Sequence, residues 1–522
     1  MSHILRLLVL PLMLFLFSPC GSAKNPAKED APDTDAVAIQ VQDIPEPMHF
    51  VSQAQVSVDG QRIDYTATAG QLLMKNDEGE AVALFGYTSY IKNGTDIRQR
   101  PVLFAYNGGP GSASMWLHMG ILGPQRTVVD DTGFASVGPF KRVNNGFSIL
   151  DRADLVMIDP VGTGFSQAVG KAQGEDFWGV DQDIESVSNF IARWVTDNGR
   201  WQSPKYLLGE SYGGIRSGGV SYQLLKAHSL TLNGVILVSP YMDFAAGNAG
   251  LEMDLPYVNY FSAYAATAWY HNAVDERPDD LQAFLRQAET FAVQEYAPLL
   301  FKGSAATARE RLRVLAGMER FTGISADYWD RANLRVDEGR FAKELLRERR
   351  QTTGRIDARY INDGLNHIAE QMTYDPFFPA VGPAFVATFN DYYREVLGVK
   401  TDQRYVTSGG LWRHWDNRHA QPGQTQYNKV PYANTAVDLA HAMVQNPNMR
   451  LLVQQGYYDL ATPYGATNYF LSQLRIPERL RKNITVDYYE AGHMMYVHPA
   501  SMKRFKADLA AFIDAGADHN TP

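Results

Sequence analysis

KYLLGESYGG, residues 205–214, is the stretch on which the reading of the chain turns. An apolar run reads as a buried strand, Gly209-Glu210-Ser211-Tyr212-Gly213 supplies Gly-x-Ser-x-Gly, and Gly213 to Ala227 reads as a helix. In that strand-turn-helix setting the pattern is a nucleophile elbow: a sharp turn lifts a Ser hydroxyl above a sheet, and the flanking glycines leave room for it. The helix that starts just beyond adds positive dipole character where an oxyanion would develop.

Working outward, PVLFAYN (101–107), ADLVMIDP (153–160) and LNGVILVSP (232–240) are further buried strands, and Ile184, Val187, Phe190, Ile191 and Trp194 mark a helix between two of them. Alternation of strands and helices predicts a mostly parallel sheet. Upstream, QVSV, Asp59-Gly60 and QRIDYTATA form a hairpin signal continued by EAVALFGYTSYI, so the sheet should have an antiparallel N-terminal edge. From 241 to 448 helical periodicity dominates, as in 281–300 and 306–321, and the Arg-rich piece 345–350 reads as a solvated helix face. Strand signals return in RLLVQQGYYD (450–459) and ITVDYYE (484–490), and 499–515 closes as an amphipathic helix. The expected organisation is an α/β-hydrolase core in two parts, 49–240 and 449–522, split by a helical insertion or lid at 241–448.

The N-terminus carries a second message. A charged start, the apolar run Leu7–Phe17 and the small residues up to Ala23 read as a signal peptide, 1–23, followed by a flexible leader, 24–48. Export to the periplasm or medium is the expectation. Lipid anchoring through Cys20, the sole cysteine, is the competing reading, with Pro19 a poor fit. The apolar run is short for a stable membrane span. Net charge is -9 and the pI about 5.8, which gives no basic footprint for nucleic acid.

A Ser hydroxyl needs a base oriented by a third group. In chain order Ser, Asp, His, the residues at strand ends are Ser211, Asp459 after RLLVQQGYY and His493 after ITVDYYE. His498 precedes Pro499 and the last helix, and Asp487 lies inside a strand, so both are weaker candidates. The loop Asn107-Gly108-Gly109-Pro110-Gly111-Ser112 follows the first buried strand and suits half of an oxyanion hole, paired with the Tyr212 N–H. A third Gly-rich loop, Asp159 to Ser166, reads as a turn that supports the site. The twelve histidines form no HExxH or comparable cluster, so no metal or other cofactor is expected.

NGGPGSAS (107–114), IDPVGTGFS (158–166), GESYGG (209–214), GYYDLATP (456–463) and AGHMMY (491–496), in this order, resemble the serine carboxypeptidase family. The resemblance implies Ser211, Asp459 and His493 as the triad, Gly109 and Tyr212 as oxyanion donors, and Asn107 with Glu210 as the clamp for the substrate's terminal carboxylate. Peptides with a free C-terminus would be the substrates. Glu210 would have to be protonated to donate to another carboxylate. The chain departs from the family pattern at four places. Ile121 stands where an acidic partner for Glu210 is usual, Ala105 replaces a Trp, Ser112 a Cys, and Met495-Tyr496 follows the His in place of the commoner residues. An esterase or acyltransferase using the same triad is the alternative. A non-catalytic binding protein on this scaffold would be expected to have lost a triad member, and all three are present.

Overall fold

The computed structural model describes residues 44–133, 137–248, 253–275 and 277–517. The expected signal peptide, and all but the last few residues of the expected leader, lie outside them. Among the described residues no helix is long and apolar enough to cross a membrane.

Strand β1 (His49–Val58) pairs antiparallel with β2 (Gln61–Lys75) through the Asp59-Gly60 turn, where both residues have positive φ, 47° and 78°. Two left-handed residues in a two-residue turn match the twist of a hairpin. β1 starts at His49, earlier than the alternation at Gln53 suggested, because its first residues pair in register with Gly70 and Ala69 of the long β2. β3 (Ala81–Lys92) completes the antiparallel edge.

The parallel part follows: β4 (Val102–Tyr106), β5 (Asp154–Ile158), β6 (Lys205–Glu210), β7 (Gly234–Val238), β8 (Arg450–Gly456) and β9 (Ile484–Tyr489), giving the order β1-β2-β3-β5-β4-β6-β7-β8-β9. The strands β4 to β7 are buried at every residue, as expected when both faces are covered. Alternate side chains serve two cores. Leu103, Ala105, Leu208 and Ile236 face Phe505, Leu509 and Phe512 of the last helix, Pro499–Ala517. Phe104, Tyr106, Leu207 and Leu237 face helices α1 (Val180–Asp197) and α2 (Gly213–His228).

Between β7 and β8 the chain is mainly helical. Leu255–Tyr270, Leu281–Phe291 and Ala308–Thr322 share an aromatic cluster that includes Phe261, Phe291 and Phe321. One expectation fails here. Residues 347–349 form a single 3-10 turn rather than a solvated helix face. The Arg347 guanidinium donates to the carbonyls of His367 and Ala369, and that of Arg349 to His271 and Asn272. Arginine's five N–H donors can bond backbone carbonyls as well as carboxylates, and periodicity alone does not reveal such tethers.

One tether of the insertion bears on pH. His419 sits between two helix carboxylates, Nδ1 at 2.6 Å from Asp181 and Nε2 at 2.9 Å from Asp438, and Lys429 reaches Asp181 at 2.9 Å. Burial opposes its charge, but the two carboxylates prevail and hold the imidazole up to about 9. A folded-state value above the unfolded one stabilises fully below about pH 6.5, and that contribution is lost as pH rises through about 9. Thermal unfolding of the native chain should therefore fall in midpoint across this window by the equivalent of about 3 kcal/mol. His419→Gln should be less stable at pH 6 and should flatten that slope. The same segment carries Trp415, whose Nε1 donates to the Tyr212 hydroxyl at 3.0 Å, so this tether reaches the elbow.

Candidate active site

Ser211 leaves β6 with φ +63°, a conformation that costs a non-glycine residue energy and persists where its surroundings fix it. The fixing is local. Its N–H donates to Val238 O at 3.0 Å, and its carbonyl accepts from Gly214 N at 2.8 Å and Tyr241 N at 2.9 Å. Gly209 is required sterically, since a Cβ on it would strike Gly213 O and the Ser217 hydroxyl.

The 107–112 loop packs directly on this turn. A Cβ on Gly108 would land on the Tyr212 nitrogen, and Gly109 and Gly111 hold φ of +106° and +90°. Among the described residues, neither Gly109 N–H nor Tyr212 N–H donates to a backbone carbonyl. Both residues line the cavity that Ser211 also lines. The loop is held from behind by Asp159, whose Oδ1 accepts from Ser114 N at 2.8 Å, Ser114 Oγ at 2.7 Å and the Tyr405 hydroxyl at 3.1 Å. Burial pushes that carboxyl up to about 6. The supporting role expected of the Asp159–Ser166 loop is thus visible as specific bonds.

Asp459 and His493 come from the ends of β8 and β9. Asp459 Oδ2 lies 2.8 Å from His493 Nδ1 and accepts from Thr462 Oγ1 at 2.7 Å, while Oδ1 accepts from Ala461 N and Thr462 N at 2.8 and 2.9 Å. These bonds leave the carboxylate one orientation. Both side chains are buried, and burial disfavours a charged imidazole at His493, yet the Asp459 carboxylate outweighs it and the net shift is upward. The weaker candidates go elsewhere. His498 Nδ1 lies 2.7 Å from Ser501 Oγ, and Asp487 faces Arg504 at 3.4 Å.

Ser211, His493, Asn107, Gly109, Glu210 and Tyr212 line one cavity of about 790 Å³. Asn107 Nδ2 donates to Glu210 Oε1 at 2.7 Å, and the Asn107 Oδ1 accepts from Leu117 N at 3.1 Å. Arg216, itself paired with Asp183 at 2.8 Å, donates to Asn107 O at 2.7 Å. Glu210 has a partner that the sequence did not disclose. With Ile121 at the usual acidic position, the Tyr496 hydroxyl donates to Glu210 Oε2 at 2.6 Å. Gly120 makes this possible, since a Cβ there would overlap the Tyr496 ring. Burial pushes the Glu210 carboxyl up to about 7, against the pull of His493, Tyr496 and Asn107 and with the help of Asp459.

A family model described as serine carboxypeptidase matches residues 61–352, more than half of the chain. The chain belongs to the serine carboxypeptidase family. Among curated relatives it is 25% identical over 174 residues to serine carboxypeptidase-like 10 of Arabidopsis thaliana, a match covering 31% of this chain and 37% of that protein. Serine carboxypeptidase-like 13 of the same plant is 27% identical over 169 residues, covering 32% and 38%. The chain thus spans under two-fifths of the length of these relatives. A crystal structure of a prohormone-processing carboxypeptidase from Saccharomyces cerevisiae superposes with a TM-score of 0.52 at 14% identity, covering 86% of this chain and 91% of that one. That likeness bears on the fold, an α/β-hydrolase, which is the class expected from the sequence.

Proposed function

We propose that the chain is a serine carboxypeptidase that removes single amino acids from peptide C-termini. The observation that carries this reading is Glu210: a buried carboxyl next to the nucleophile, bonded to Asn107 and Tyr496, with burial keeping much of it protonated near neutrality. A carboxylic acid beside Asn107 donates to a substrate carboxylate, whereas an esterase has no need of a titrating acid at that place.

In this reading His493 Nε2 takes the Ser211 proton as Oγ attacks the last peptide carbonyl. The N–H groups of Gly109 and Tyr212 receive the negative charge on the carbonyl oxygen. His493 then returns the proton to the leaving amine, and the terminal amino acid departs. Water attacks the acyl group on Ser211, with His493 again as base, so one water is consumed and one shortened peptide is released. Asp459 holds the imidazole with its proton on Nδ1.

Residues of 241–448, among them Tyr241, Tyr260, Glu338, Arg355, Phe378 and Trp412, line the same cavity, which supports a lid role for the insertion. The 1–23 segment supports export, and the family supports peptides as the substrate class.

The test is amino-acid release from two matched peptides, one with a free C-terminus and one amidated, with Ser211→Ala as the blank. Release of only the last residue, confined to the free acid and absent from the blank, is the expected result. Equal cleavage of both peptides, or turnover of a simple ester alone, would move the assignment to an esterase or acyltransferase.

A further inference from the structure

Asp459 and His493 stand on different loops, and the hydrogen bond between them requires those loops to keep a fixed offset. A short piece of the insertion runs across both. Arg355 O accepts from Leu460 N at 3.0 Å and Ala358 N donates to Tyr458 O at 2.9 Å, so the piece brackets Asp459 on either side. Ile356 O accepts from His493 N at 2.8 Å, and Asp357 Oδ2 accepts from Gly492 N at 3.1 Å. Four successive residues, 355 to 358, thus bond to the Asp loop, the His loop, the His loop and the Asp loop.

The strap is itself held. Asp375 Oδ2 accepts from Ile356 N at 2.8 Å, and Arg359 grips Asp357 Oδ2 through Nη2 at 2.7 Å while pairing with Asp131 at 3.3 Å. Asp357 is fully buried. It packs against Gly492 so closely that a Cβ there would lie 2.5 Å from Asp357 Cα, Cβ and Cγ. Gly492 is thus confined on one side by Asp357 and joined on the other to His493. Arg355 and Ile356 line the cavity, and Asp357 stands behind them.

We propose that the strap Arg355–Ala358 sets the offset between Asp459 and His493, and that Asp357 is its positioning residue, acting on the rate of the chemical step through Gly492 and His493 without touching substrate. The inference rests on the reading of Ser211, Asp459 and His493 as the triad. Misplacement of a catalytic group by a fraction of an ångström to one ångström lowers rates by factors of up to about 10². Asp357→Ala removes the acceptor of a buried N–H. Asp357→Asn keeps an oxygen for it while weakening the grip of Arg359. Gly492→Ala pushes the His loop away from the strap.

Kinetics on a free-acid peptide, with thermal unfolding alongside, decide the matter. Asp357→Ala should lower kcat about tenfold to thirtyfold with KM changed less than about twofold, Asp357→Asn should restore most of the loss, and Gly492→Ala should lower kcat by a similar factor. A kcat within threefold of the native value in Asp357→Ala, or a rise in KM alone, overturns the proposal. Should Asp357→Ala fail to fold, Gly492→Ala decides, and an unchanged kcat there overturns it equally. His493→Ala separates the two levels. If it stays active, the triad assignment falls and the strap inference with it. An inactive His493→Ala beside a native-like Asp357→Ala removes the strap inference alone.

Discussion

Replacing Ser211 or His493 by Ala should lower kcat by about 10⁶, and Asp459→Asn by about 10⁴, with KM for a free-acid peptide changed by less than tenfold in each case. The graded expectation follows from what each group does. Without the Ser211 hydroxyl there is no acyl-enzyme, and without the imidazole there is no acceptor for its proton. Asp459→Asn is subtler, because the amide fits the same space. Its Oδ1 or Nδ2 must face Ala461 N and Thr462 N, which donate at 2.8 and 2.9 Å, and those donors require the oxygen. The NH₂ group then points at His493 Nδ1 and forces the imidazole proton onto Nε2, the atom that must accept from Ser211. The wrong tautomer, not lost structure, accounts for the drop. Steady-state kinetics together with titration of Ser211 by an organophosphate would check it. Asp459→Asn should label as fully as native protein but far more slowly. Equal labelling rates would remove Asp459 from the triad.

Much of this site was legible because each motif is local. The elbow is six consecutive residues, and Asp459 and His493 each stand just past a strand that its own apolar pattern reveals. The alternation of strands and helices also carries the parallel core, since both faces of β4 to β7 are buried and their residues are apolar throughout. What escaped the reading depends on contacts between distant segments. The departure at Ile121 was visible, but the phenol that reaches Glu210 does so only because Gly120 vacates the space for its ring. Strap residues 355–358 have no periodicity, and their bonds run mostly through backbone groups that every sequence possesses. His419 gives no local sign of its two carboxylates, which come from α1 and from Ala436–Gln445. The arginines of 347–349 satisfied a helical pattern while binding carbonyls of other segments.

KM for a free-acid peptide should rise as pH passes about 7 and approach a tenfold increase per unit, while KM for a simple ester without a terminal carboxylate stays flat. Protonated Glu210 donates to the substrate carboxylate, and ionised Glu210 repels it. Burial sets the carboxyl near 7, so the binding-competent form is the majority below that pH and falls to about one part in a hundred at pH 9. The groups facing Glu210 fix the direction of each variant. His493 and the donors Tyr496 and Asn107 favour its ionised form, and Asp459 disfavours it. Removing the Tyr496 hydroxyl takes away a donor to the carboxylate, so Tyr496→Phe should move the KM rise to higher pH. Glu210→Gln, a neutral donor at every pH, should abolish the rise and bind the free acid about as well at pH 9 as at pH 6. A pair of carboxylates sharing one proton would behave differently, since its macroscopic titration belongs to both groups. Here a single carboxyl titrates against a phenol that stays protonated throughout, burial and Glu210 holding it well above its ordinary range. A KM that is independent of pH in the native chain, or an acid-going shift in Tyr496→Phe, would show that Glu210 does not bind the terminal carboxylate as an acid, and recognition would then have to rest on Asn107 and the backbone of the 107–112 loop.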